Sequence, residues 1–271
     1  MSYNISILVM YALTPCHAGS GSALGIADLP IQRERHTNYP LINSSSVKGS
    51  LRANFDKSDK EGLTKTFFGS ASTNGDGDYA GAISVSDAKI LAFPMRSSIA
   101  PFVWITCPNV LKRLNNDLLF AGKNKIEDIN PPKDEEAIVL KGDIKGDILL
   151  EDYQVEVKAE HEIKSDIFKE TTKLLLVSDE VFKYGVSNCT QINAQIAIEQ
   201  EKGSTKDGSL RYQEELPSDT LMYCTISCGD GRNDKQKASE IEKAIKKSAS
   251  EYIQVGGSET LGRGIFKLTW K

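Results

Sequence analysis

One carboxylate stands out in the segment GSGSALGIADLPIQRERHTNYP, residues 19–40: Asp28, followed by Arg33, Glu34, Arg35 and His36. A single acid ahead of a basic cluster, in a glycine-rich stretch after an apolar strand, has two readings. It is a solvated loop residue, the ordinary place for an aspartate, or a carboxylate held where a phosphate backbone passes. In the second case one carboxylate can act as a base or hold Mg²⁺ through water, because magnesium commonly takes only one or two protein carboxylates. Glu34 is the only other acid in the segment, so no two-metal site is visible. The glycines would let Asp28 reach a distorted nucleotide.

Other side chains carry chemistry in the same provisional sense. His17 reads as a general acid, a nucleic-acid contact or a polar residue closing the first strand. His36 either holds the loop in shape or touches the nucleic acid. Lys48 and Arg52, four apart in SVKGSLRANF, share one helix face. An exposed basic face is the usual explanation of such a pair. Ser44, Ser45 and Ser46, with open backbone amides at that helix start, would add a phosphate cradle. Gly256, Gly257, Gly262, Arg263 and Gly264 lack the GK[ST] of a Walker motif. They are turn punctuation, or they let backbone approach a phosphate chain that Arg263 neutralises. Asp76 and Asp78 open like a calcium loop, but the remaining ligands and the closing glutamate are missing. Five cysteines without CxxC spacing argue against a disulfide framework and a structural zinc, and suit a reducing cytoplasm.

These residues need elements to position them. The chain of 271 residues can bury a full core, and no internal repeat or low-complexity tail divides it, so one domain with excursions is expected. No apolar run approaches the roughly 18 residues of a membrane span. The start, MSYNISILVMYAL, lacks a basic n-region and reads as a first strand rather than a signal peptide. The net charge of −4 is unevenly spread: residues 127–170 hold 14 Asp/Glu against 6 Lys, whereas residues 30–55 and 232–247 are each +3. An acidic protein can bind nucleic acid if its basic residues line one groove.

Val47, Leu51 and Phe55 predict a short helix, and Ala238, Ile241, Ile245, Ala249 and Tyr252 an amphipathic helix near the C-terminus. AISVSDAKILAF, FVWIT, KLLLVS, TLMYCTISC and IFKLTW read as strands. PNVLKRLNNDLL and DEVFKYGV read as helices, the latter capped by Ser178 or Asp179. QINAQIAIE and LRYQEEL alternate on either side of QEKGSTKDGS and predict a long hairpin. The pattern suggests an α+β fold with helices on one face of the sheet: a ferredoxin-like (RRM-type) palm with large insertions.

Three separated segments resemble one family. LTPCHAGSG with DLPIQRERHTNYPLINSSSVKGSLR is similar to the N-terminal signature of the RAMP superfamily, and VGGSETLGRGIFKL to its C-terminal glycine-rich loop. FVWITCPNVLKRL, LLLVSDEVF and GSLRYQEELP resemble one branch of it: the repeated backbone (fourth) subunit of type III-B CRISPR Cmr effector complexes. The likeness leaves out mainly the acidic middle and residues 69–81.

The resemblance implies a cytoplasmic subunit that polymerises along a guide RNA with copies of itself in a helical backbone and with other Cmr subunits, away from membranes. It would cut complementary single-stranded target RNA at regular intervals. It also implies a single RAMP domain over 1–271, with a catalytic loop at 14–40, an acidic insertion at 123–170 and a β-hairpin thumb at 188–217 that enters the guide–target duplex. A divalent cation, Mg²⁺ or another, is required, and the family's catalytic aspartate matches Asp28. Attack of a 2′-hydroxyl on the adjacent phosphate would leave a cyclic phosphate. RNA contacts are expected from His17, Arg33, Arg35, Ser45, Ser46, Lys48, Arg52, Gly256, Gly257 and Arg263.

Family members commonly carry an arginine near Gln195 and an aromatic near Arg211. This chain departs there, which leaves open which thumb side chains enter the duplex. Two other RAMP readings compete: a backbone subunit that coats guide RNA without cutting, and a lone guide-processing endonuclease. The lack of a clear histidine dyad weighs against the second. An unrelated RRM protein lacks support because no aromatic RNP1-like strand is present.

Overall fold

The computed structural model describes residues 3–23, 25, 27–70, 79–232 and 235–271. The first part of the chain forms β1 (Asn4–Ala12), β2 (Leu41–Ile42), α1 (Ser44–Asp56), α2 (Thr64–Phe68), β3 (Ile83–Val85), β4 (Ala88–Met95), β5 (Val103–Thr106) and α3 (Pro108–Phe120). The middle forms β6 (Glu136–Lys141), β7 (Asp147–Leu150), β8 (Tyr153–Glu160), β9 (Leu174–Val177) and α4 (Asp179–Asn188). Then come β10 (Gln191–Gln195), β11 (Arg211–Glu215), β12 (Leu221–Cys228), α5 (Ala238–Ser248), β13 (Tyr252–Gln254) and β14 (Ile265–Trp270). The architecture is mixed α/β, dominated by one large sheet.

β1 explains why the sheet is central. Its residues Ile7 and Val9 enter one apolar cluster while Leu8 and Met10 enter another. A strand apolar on both faces must be covered on both. α1 and α5 cover one face, through Val47, Leu51, Phe55, Ile241 and Ile245. α3 and α4 cover the other, through Val110, Leu114, Val181 and Phe182. The one-sided arrangement of helices expected from the sequence is therefore corrected.

β14, β1, β12 and β4 lie side by side, every pair antiparallel. Beyond β4 the sheet continues through β5, β9, β6, β8 and β7, so the acidic stretch builds its far end. β10 and β11 form a separate two-stranded hairpin, with Gln195 opposite Arg211.

The helix periodicities land where expected in α1, whose Phe55 ring packs 5.0 Å from Phe67 of α2. They overshoot in α5. That helix stops at Ser248, and Tyr252 sits exposed on β13 opposite Lys267. Pairing with β14 alternates Tyr252 out, Ile253 in, Gln254 out and Val255 in, and this ladder overrides the helical period. Asp76 and Asp78 lie outside the described residues. Among those described, no helix is long and apolar enough to cross a membrane, and the five thiols are unpaired.

Candidate active site

Residues 28–33 run extended beside β11. The Leu29 amide donates to the Tyr212 carbonyl (3.1 Å), and the Glu214 amide donates to the Leu29 carbonyl (3.0 Å), a parallel pairing centred on Leu29 and Gln213. Asp28 begins this stretch. Its Oδ2 accepts the Tyr212 amide at 2.8 Å, yet the residue stays exposed. A carboxylate held at one oxygen and open to solvent is oriented, and among the described residues it forms no salt bridge.

His17, in the loop after β1, packs against the same hairpin strand. Its Nδ1 is 2.7 Å from the Glu214 carbonyl oxygen. A carbonyl can only accept, so Nδ1 carries a proton and donates it to Glu214. The C-terminal glycine turn is fitted onto His17: the Gly257 amide donates to the His17 carbonyl (2.9 Å). Gly256 has φ +95°, and a Cβ there would sit 2.7 Å from the same oxygen. Arg263 closes the turn through Nε to Glu215 Oε1 at 3.0 Å. His17, Gly256, Gly257 and Arg263 are thus brought to the foot of the hairpin, beside the Asp28 segment.

Arg33 is turned inward. It donates to Glu214 Oε1 (2.5 Å), to the Val186 carbonyl (2.9 Å) and to the Asn38 carbonyl (3.0 Å). Its charge answers a buried carboxylate, which is costly without a cation, so Arg33 ties the loop to the hairpin and to α4. Arg35 is exposed and makes no ion pair among the described residues. His36 is exposed too, with Nε2 3.8 Å from Glu34.

Glu34 belongs to α3 rather than to Asp28: Arg113 Nη1 donates to Glu34 Oε2 at 2.9 Å, with a second contact through Nη2, and Thr37 Oγ1 donates at 2.6 Å. Burial pushes the Glu34 carboxyl up, but the bonds from Arg113 and Thr37 outweigh it and hold it below the usual carboxylate range. Arg113→Met should cost about 2 kcal/mol, between exposed-pair and buried-pair values, read as the shift in a urea-unfolding midpoint. The stabilisation by Glu34 is present at neutral pH and fades as pH falls through its depressed folded-state pKa. The Met variant should flatten that acid limb.

The segment then delivers α1. Gln32 Nε2 donates to the Gly19 carbonyl (2.9 Å) and Gln32 Oε1 accepts from the Asn43 amide (2.7 Å), tying the helix start to the Asp28 loop. The expected cradle of open amides is smaller than the sequence suggested: Ser44 donates to Asp87 Oδ1 (2.7 Å), and Ser46 and Val47 donate to the Asn43 carbonyl. Ser45 is exposed and Ser46 half-buried. Lys48 and Arg52 form no salt bridge among the described residues. Burial first, then the neighbouring Arg52, holds the Lys48 ammonium below the usual lysine range. Two adjacent cations without a carboxylate are what a bound phosphate would complete.

Sequence comparison now bears on this geometry. The RAMP superfamily profile matches residues 9–267. The chain belongs to the RAMP superfamily. It is 36% identical over 280 residues to the CRISPR system Cmr endoribonuclease Cmr4 of Pyrococcus furiosus, covering 97% of this chain and 94% of that protein. The crystal structure of oligomeric Cmr4 from Pyrococcus furiosus superposes with a TM-score of 0.72 at 29% identity, over 98% of each chain. A chain of the type III-B Cmr-beta complex bound to cognate target RNA shares the fold, with a TM-score of 0.75 at 23% identity over 98% of this chain and 96% of that one.

In this RAMP three residues that sequence reading passed over organise the site. Tyr212 supplies the amide for Asp28 and keeps its own side chain exposed. Glu214 and Glu215 are 7% and 1% exposed. Adjacent residues of a strand point to opposite faces, so two neighbouring buried acids require cations on both sides. Arg33 and Arg263 supply them. The signal in the sequence was the doublet in RYQEEL, which an alternating pattern alone would have turned half outward.

Proposed function

We propose that this protein is the repeated backbone subunit of a type III-B CRISPR effector complex, which binds guide RNA and cuts complementary target RNA, with Asp28 as the catalytic residue. The observation that carries the reading is the exposed Asp28 carboxylate held by the Tyr212 amide of the hairpin, in a chain similar to a Cmr endoribonuclease over nearly its whole length. The order β14-β1-β12-β4, with α1 following β1 and α5 following β12, supports a ferredoxin-like palm. The hairpin is the thumb. Ile192, Ile196, Ile198, Leu210 and Tyr212 are exposed along it, and such apolar side chains suit a wedge between base steps. The unpaired thiols suit a reducing cytoplasm.

Asp28 aligns a target 2′-hydroxyl and takes its proton. The 2′-oxygen attacks the adjacent phosphorus, the bond to the 5′-oxygen breaks, and that oxygen is protonated from solvent, leaving a 2′,3′-cyclic phosphate and a 5′-hydroxyl. No cluster of three metal-ligating side chains occurs among the described residues. A magnesium ion, which commonly takes only one or two protein carboxylates, would be held here by Asp28, directly or through water. Such an ion supplies neutralisation of the phosphate charge. Sequence choice lies in guide–target pairing, so the protein grips backbone.

The test is evenly spaced cleavage of target RNA by the guide-loaded complex with Mg²⁺. A second prediction concerns the grip. Lys48→Ala should weaken guide binding alike for all sequences and lower the slope of log affinity against log salt by about one, measured by titration at several salt concentrations. An unchanged slope would take Lys48 off the phosphate.

A further inference from the structure

We propose that Glu214 is a positioning residue for cleavage: it fixes residues 28–33 on the thumb strand and so sets where the Asp28 carboxylate stands. This rests on the nuclease reading above. Nearly every polar atom of Glu214 is committed to the segment that carries the catalytic residue. Its amide donates to the Leu29 carbonyl at 3.0 Å, and its carbonyl accepts from His17 Nδ1 at 2.7 Å. Oε2 accepts the Ile31 amide at 3.0 Å, and Oε1 accepts Arg33 at 2.5 Å and the Thr190 hydroxyl, at the thumb root, at 2.8 Å.

Leu29, Ile31 and Arg33 are alternate residues of one extended stretch, so a single side chain and its backbone hold three successive points on one edge. Two residues before Glu214, Tyr212 gives its amide to Asp28. The thumb strand therefore carries both the clamp and the carboxylate. If the thumb enters a guide–target duplex, the catalytic loop travels with it and Asp28 keeps its distance from the nucleotide that the thumb distorts. A merely structural acid would need only its cation. Glu214 also takes a loop amide, and its loss leaves Arg33 without its carboxylate and the Ile31 amide unsatisfied.

The experiment compares wild type, Asp28→Ala, Glu214→Ala and Glu214→Gln in the assembled guide-loaded complex with Mg²⁺. It measures the single-turnover cleavage rate at saturating target and, separately, target affinity. Glu214→Ala should slow cleavage about 30-fold, in the range that small displacements of reacting groups produce, with affinity within about twofold. Glu214→Gln keeps a neutral acceptor of the same length and should lie between, slowed about fivefold. A wild-type rate in assembled Glu214→Ala complex, or a loss wholly in affinity, overturns the proposal. If Glu214→Ala does not assemble, Glu214→Gln decides: a wild-type rate there makes Glu214 a folding residue only. An active wild type with a dead Asp28→Ala and an unaffected Glu214→Ala sinks this inference alone. An inactive wild type, or an active Asp28→Ala, removes the nuclease reading and this inference with it.

Discussion

Asp28→Ala in every copy should leave a complex that assembles, holds guide and target, and does not cut. Removing a positioned proton acceptor typically costs between about 10²- and 10⁴-fold in rate, enough to erase a ladder of evenly spaced products. Stability should barely change. Asp28 is exposed, and its carboxylate makes one bond, to the Tyr212 amide, worth about 1 kcal/mol net. Asp28→Asn sharpens the test. Its amide oxygen can still accept from Tyr212, but it neither takes a proton at neutral pH nor holds a cation strongly, so it should be as inactive as alanine. An asparagine variant with near-normal cleavage would make the residue a loop anchor. Bound but uncut target with the wild type as well would make the protein a coating subunit.

The largest loss of stability is expected from Gly264→Ala. Gly264 has φ +73°, and a Cβ there would overlap the Val255 carbonyl oxygen. Its amide donates to Pro15 and its carbonyl accepts from Val255, both at 2.8 Å. Left-handed strain of about 1–2 kcal/mol and about 1 kcal/mol for each bond disturbed together reach about 4 kcal/mol. For a chain of this size that lowers Tm by roughly 10 °C, readable by calorimetry. The same change should loosen the glycine turn from His17 and so reach the active site. Gly262→Ala is the internal control: φ is +72°, but nothing lies within 4 Å of the added carbon, so only the strain of about 1–2 kcal/mol applies. Equal losses at the two positions would show that the close approach to Val255 does not matter.

These two glycines look alike in the sequence, and the difference between them marks where sequence reading stops. What neighbours in the chain decide was legible. The helical spacing of Val47, Leu51 and Phe55 specified α1, a cap at Ser178 or Asp179 marked the start of α4, which the structure gives to Ser178, and alternation on either side of a polar tip specified the hairpin. The ordered motifs around Asp28 and the closing glycine turn carried the family, because such motifs are contiguous stretches of chain.

Partner choice among charges was not legible. Arg33 and Arg263 look like phosphate ligands in sequence, yet they face Glu214 and Glu215. Glu34, beside Arg33 and Arg35, pairs with Arg113 instead. The Ile31 amide finds its carboxylate 183 positions away. Nor did the apolar run of β1 say which helices would cover which face. Local periodicity is a property of residues a few positions apart, and the sequence carries it by itself. Which ions meet is set by desolvation: a carboxylate buried by tertiary packing takes whichever cation the fold brings within reach, and only the folded chain decides which one that is.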